Sequence, residues 1–168
     1  MNTRLRLSTL SLTLLLSLCL SLPVAATTIS GPAPDFTLKS NSGKNLRLAD
    51  LRGEVVMINF WASWCGPCRQ EMPELNKLHK RYKRAGFTVF GVNVENDSSE
   101  ANQMLEKIPV DFPVLYDTRS EVSKLYNVDA MPTTVLVDRD GNLRYLHRGY
   151  KPGYEDIYRQ QVKTLIRE

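Results

Sequence analysis

Cys65 and Cys68, separated only by Gly66 and Pro67, are the residues here whose type and spacing most directly offer chemistry. A thiolate is a nucleophile and a metal ligand, and a close pair can open and close a disulfide. What matters next is where the chain holds them. The largely apolar run Glu54–Phe60 contains β-branched residues, which predicts a strand buried on both faces. From about Gly66 to Arg84 a helix is expected, with Leu75, Leu78 and Tyr82 recurring on one face. Cys65 therefore falls at a helix N-terminus, where free amides and the helix dipole favour an anion. Pro67 suits the first turn, because its missing N–H costs nothing there. Cys68 follows one turn later, facing Cys65 but deeper. In this arrangement Cys65 attacks a disulfide and Cys68 resolves the mixed disulfide that results.

Other uses of the pair fit less well. Structural zinc needs four ligands, and His79 and His147 lack paired spacing. Haem attachment needs a histidine after the second cysteine, where Arg69 stands. A purely structural bridge across so short a loop gains little from closure. The third cysteine, Cys19, lies in a segment set apart from the fold.

That segment is residues 1–26. Arg4 and Arg6 precede a leucine-rich run from Leu10 to Leu22, and Val24-Ala25-Ala26 supplies small residues. This is the pattern of a cleaved signal peptide. No charge occurs between Arg6 and Asp35, so an uncleaved membrane anchor is the second reading. Lipid attachment at Cys19 is disfavoured by the bulky Leu18 before it. In either main reading the rest of the chain lies outside the cytoplasm.

The whole chain has 168 residues, 42% hydrophobic and 24% charged, an ordinary globular composition of single-domain length. Residues 1–26 hold two of the 22 basic residues and none of the 18 acidic ones, leaving 20 against 18. Lys80, Arg81, Lys83 and Arg84 read as a solvated helix face rather than a nucleic-acid site.

Residues 27–34 read as a linker and residues 35–168 as one domain. Short strands are expected at Phe36–Leu38 and Leu46–Leu48 around a turn at 41–44. A buried strand is expected at Phe87–Val94, and a helix from Ser98 or Ser99, as its cap, to about Ile108. Val114–Tyr116 is extended and Ser120–Tyr126 a short helix. Thr133–Val137 and Leu143–His147 form an antiparallel pair, and a last helix spans Tyr154–Ile166. Strands alternating with helices predict an α/β fold, a central mixed sheet with helices on both faces.

The stretch Trp64-Cys65-Gly66-Pro67-Cys68 resembles the thioredoxin active site. Pro73 matches the family's helix proline, and Met131-Pro132-Thr133 resembles its cis-proline loop; a plain trans proline opening the strand is the other reading of Pro132. Pro34-Asp35-Phe36-Thr37-Leu38, Leu51-Arg52-Gly53 and the pattern Cys65…Cys68…Glu71…Pro73 resemble the exported TlpA/ResA-type branch. The resemblance implies a thioredoxin fold with an N-terminal β extension and an insertion at residues 95–112. It implies substrate contacts at Trp64, Gly66, Pro67, Met131 and Pro132. Cytoplasmic thioredoxins carry a buried aspartate where Asn59 stands, so another acid/base group is needed. Glu71 is the first candidate, against an ordinary helix-surface glutamate. Glu95 is the second, against a solvated strand end. Trp61 reads as core, and both histidines as surface residues.

No cofactor is expected. The resemblance further implies reduction of client protein disulfides, such as apocytochrome c or copper-site proteins, with electrons from a membrane donor of the DsbD/CcdA type. One rival is a thiol peroxidase of the peroxiredoxin type, which shares the Pro-Asp-Phe-Thr-Leu opening but has a threonine where Ala62 stands. The other is a non-catalytic copper-binding or chaperone module.

Overall fold

The structure is a computed structural model that describes residues 27–168. The signal-peptide or anchor reading of residues 1–26 lies outside the described residues. Among those described, no helix is long and apolar enough to cross a membrane.

The elements run β1 (Thr27–Thr28), β2 (Thr37–Lys39), β3 (Asn45–Arg47), β4 (Val55–Trp61), α1 (Gly66–Tyr82), β5 (Phe87–Asn93), α2 (Ser99–Lys107), β6 (Val114–Tyr116), α3 (Glu121–Leu125), β7 (Thr133–Val137), β8 (Leu143–Arg148) and α4 (Tyr154–Arg167). Six strands form one sheet in the order β1-β8-β7-β4-β5-β6, and β2-β3 form a separate hairpin. β4, β5 and β6 run parallel, while β7 lies antiparallel to β4 and β8 antiparallel to β7. The mixed sheet expected from the sequence is therefore present.

Alternation along β4 divides the interior in two. Val55, Met57 and Trp61 pack with Met72 and Leu75 of α1, Ala101 and Met104 of α2, and Tyr158, Val162 and Leu165 of α4. Val56, Ile58 and Phe60 face the opposite layer, with Phe36, Leu48, Val122 and Tyr126. There the N-terminal hairpin and α3 cover the sheet. Every residue of β4 is buried, as a doubly covered central strand requires. α2 lies in the insertion between β5 and β6.

Local details depart from the sequence expectations. Residues 27–34, read as a linker, run beside the sheet: Thr27 and Thr28 pair with Leu146 and Tyr145 of β8, and the Ala33 amide donates to the Gly141 carbonyl at 2.9 Å. Ahead of α2 neither serine side chain caps the helix; Asp97 accepts from the Ser99 amide at 3.0 Å. The histidines are buried rather than on the surface. His79 packs edge-on to Phe112, and His147 bonds Gln161 through Nε2 at 2.9 Å while meeting the Tyr158 ring edge-on. Burial lowers the pKa of both, because it disfavours the imidazolium.

Candidate active site

Leaving the sheet at Trp61, the chain makes a turn closed by the Cys65 amide on the Ala62 carbonyl at 3.2 Å and enters α1. Cys65 is the N-cap, extended at φ −80° and ψ 108°, and Pro67 occupies the first turn. Cys65 and Cys68 are joined in a disulfide with their Cα atoms 5.3 Å apart. The Cys68 amide donates to Cys65 Sγ at 3.2 Å. That N–H is an orphan donor of the helix start and is available to a thiolate when the bridge opens. Cys65 is 4% exposed and Cys68 1%, so both are sheltered. Beside them Trp64 is 65% exposed, an unusual position for an indole in a monomeric surface. Trp61, by contrast, is wholly buried, as core.

Just ahead of β7, the Met131–Pro132 peptide is cis. Gly149 N–H donates to the Pro132 carbonyl at 2.7 Å, tying the loop to the end of β8. Gly66 is half-buried and Pro67 exposed.

One turn past Cys68, Glu71 is 0% exposed and is not a helix-surface residue. Its carboxylate ends among donors from three other elements. Tyr158 OH of α4 donates to Oε1 at 2.7 Å, Asn59 Nδ2 of β4 donates to Oε2 at 2.8 Å, and Thr134 Oγ1 of β7 lies 3.4 Å from Oε1. Asn59 Nδ2 also lies 2.9 Å from Thr134 Oγ1. Asn59 and Thr134 are register partners, as are Thr134 and His147, so a polar row crosses the apolar sheet beneath α1 and α4. Burial pushes the Glu71 pKa up to about 7, although all three hydrogen bonds pull it down. Tyr158, buried and facing that carboxylate, has its own pKa raised.

Glu95 is placed differently. It follows β5, and its carboxylate accepts the Ser63 amide at 2.8 Å, the Ser63 hydroxyl at 2.6 Å and Asn93 Nδ2 at 2.7 Å. It grips the loop ahead of the cysteines, and it is not a solvated strand end.

Tyr158 and Thr134 were not singled out from the sequence. Thr134 follows the Met131-Pro132-Thr133 motif directly. Tyr158 is on the apolar stripe it forms with Val162 and Leu165, but its partner is 87 residues away. A buried acid with a near-neutral pKa can take up and release a proton at neutral pH.

The Redoxin family profile matches residues 29–162. The chain is 37% identical over 124 residues to the thiol-disulfide oxidoreductase ResA of Geobacillus kaustophilus, covering 74% of this chain and 71% of that one. It is 40% identical over 119 residues to the thioredoxin-like protein YneN of Bacillus subtilis, covering 70% and 69%. A crystal structure from Chlorobium tepidum, assigned as a thiol:disulfide interchange protein DsbE, superposes with a TM-score of 0.79 at 38% identity, covering 83% of this chain and 99% of that one. With the fold and the Cys65–Cys68 bridge, these likenesses lead to one conclusion: the chain belongs to the Redoxin family of the thioredoxin superfamily and is a thiol–disulfide oxidoreductase.

Proposed function

We propose that the protein is exported and reduces disulfides in client proteins, with Cys65 as the attacking thiol, Cys68 as the resolving thiol and Glu71 as the proton acceptor. The observation that carries this reading is the buried Glu71 carboxyl one turn below Cys68, held by Tyr158, Asn59 and Thr134.

In the reduced protein, Cys65 thiolate attacks one client sulfur. An S–S bond forms between Cys65 and the client, and the other client sulfur leaves as a thiolate and takes a proton from water. Cys68 then gives its proton to the Glu71 carboxylate and attacks Cys65 Sγ. The Cys65–Cys68 bond forms, the mixed disulfide breaks, and the second client sulfur leaves as a thiolate and takes a proton from water. Two electrons have moved from the protein to the client. With a pKa of about 7, Glu71 is part carboxylate and part acid at neutral pH, so it can take up the Cys68 proton and release it later.

Trp64, Gly66, Pro67, Met131 and Pro132 form the client-facing surface in this reading. Residues 1–26 carry the chain out of the cytoplasm, as a cleaved signal peptide or as an anchor. Outside the cytoplasm no soluble reductant pool regenerates the dithiol, so a membrane donor of the DsbD/CcdA type supplies electrons. Clients of the apocytochrome c kind, with a Cys-x-x-Cys-His disulfide awaiting haem, are the first class to test; copper-site proteins are the second.

The test uses prereduced protein mixed with a Cys-x-x-Cys-His peptide disulfide or with hydrogen peroxide, followed by tryptophan fluorescence. Faster reduction of the peptide supports the proposal. Peroxide consumption outpacing disulfide reduction would replace it with a peroxidase.

A further inference from the structure

Ser63 is the residue before the Trp64–Cys65 pair, and all three of its polar groups are occupied. Its amide and hydroxyl both donate to the Glu95 carboxylate, at 2.8 and 2.6 Å. Its carbonyl accepts from Arg69 Nη1 of α1 at 2.6 Å. Glu95 is itself braced: Asn93 Nδ2 donates to Oε2 at 2.7 Å, and Asn93 Oδ1 accepts the Glu95 amide at 3.2 Å. Asn93, fully buried at the end of β5, also places Nδ2 3.5 Å from the Trp61 carbonyl. Glu100 Oε2 of α2 lies 3.4 Å from the Ser63 hydroxyl, a longer alternative acceptor. The charged groups around Ser63 are thus Glu95, Glu100 and Arg69. The Glu95 carboxylate is thus taken up by Ser63 and Asn93.

We propose that Glu95 is a positioning residue for thiol–disulfide exchange, its carboxylate clasping Ser63 to the end of β5 and thereby fixing the turn that presents Trp64 and Cys65. The inference rests on the reading of Cys65 as the attacking thiol. Cys65 Sγ receives the Cys68 amide at 3.2 Å, and a charge-assisted hydrogen bond weakens steeply as its geometry loosens. The carboxylate makes two bonds to one residue in a fixed fork, which holds both the position and the orientation of Ser63. Releasing the clasp lets the turn move, and the thiolate loses part of its support from the start of α1.

Three variants separate positioning from charge. Ser63→Ala and Glu95→Asp keep the negative charge but break the fork, the first by removing a donor and the second by shortening the reach. Glu95→Gln keeps the length and removes the charge. The measurement is the pH profile of iodoacetamide alkylation in the reduced full chain, read by mass spectrometry on the peptide carrying Cys65 so that Cys19 does not contribute. Ser63→Ala and Glu95→Asp are expected to move the profile to higher pH, cutting alkylation at pH 6 by about three- to tenfold. Client disulfide reduction should fall in step. Unshifted profiles with a lowered melting temperature would overturn the proposal and leave the clasp as a structural prop. A shift confined to Glu95→Gln, toward lower pH, would overturn it in favour of plain charge repulsion. Wild-type protein with an ordinary thiol profile and no disulfide reduction would overturn the exchange reading beneath it.

Discussion

Replacing Glu71 with glutamine should make the oxidised protein more stable in alkali and change it little in acid. Glu71 binds its proton more tightly in the folded chain than in the unfolded one, because burial raises its pKa from 4.5 to about 7. The folded state therefore holds its full advantage from this group below pH 4.5 and loses it as the pH rises through about 7. At about 1.4 kcal/mol per pH unit, the interval between the two values amounts to about 3 kcal/mol. With the carboxyl wholly buried, solvent screening does little to reduce that figure. Glutamine has nearly the same shape and no charge to bury. Its Oε1 can still accept from Tyr158, and Asn59 Oδ1, which has no partner among the described residues, can accept from the new amide after a flip of the Asn59 side chain. Urea unfolding of both oxidised proteins from pH 4 to 8.5 gives the comparison. The wild-type curve should fall away from the variant's by about 3 kcal/mol, mostly between pH 4.5 and 7.5. Parallel curves would refute the reasoning, since Glu71 would then titrate alike in both states.

Three further outcomes follow from the same geometry. Cys68→Ala should let Cys65 attack but not be released, so a mixed disulfide with a model client accumulates on a non-reducing gel and turnover drops to background; continued turnover would contradict the division of roles. Tyr158→Phe removes the 2.7 Å donor to Glu71; a hydrogen bond to a charged group contributes about 1.5–3 kcal/mol. The divergence between the protein and its Glu71→Gln derivative should thus still begin near pH 4.5 but level off about one pH unit or more higher. Gly91→Ala would put a Cβ 2.8 Å from Phe112 Cε2 and 3.3 Å from Trp61 Nε1; overpacking of this kind costs about 1–3 kcal/mol, measurable by urea unfolding.

The sequence made the scaffold legible where the signal was local. Glu54–Phe60 and Phe87–Val94 are long apolar runs, and they became β4 and β5 within a residue at each end. The cysteine pair, the Pro67 start of α1 and the proline opening β7 were equally plain. Less visible was anything decided by distant partners. β1 is two residues long and owes its existence to β8, more than a hundred residues on. His147 looked like a surface residue because β8 is mostly half-buried, yet α4 covers it. Glu71 had a usable signal, since it shares the buried stripe of Cys68, Met72, Leu75 and Leu78. Composition alone favours an exposed glutamate there. Its three hydrogen-bond partners come from β4, β7 and α4, and no local pattern brings those together. Glu95 was noticed for its charge and position; its actual work depends on Ser63, 32 residues earlier.

The reduction potential of the Cys65–Cys68 couple, titrated against glutathione or dithiothreitol mixtures at pH 7, tests the central claim most directly. A dedicated reductase predicts a value near about −270 mV, at the thioredoxin end of the scale. A value near about −120 mV would contradict the account and make the protein a disulfide donor, with the same two cysteines running the exchange in reverse.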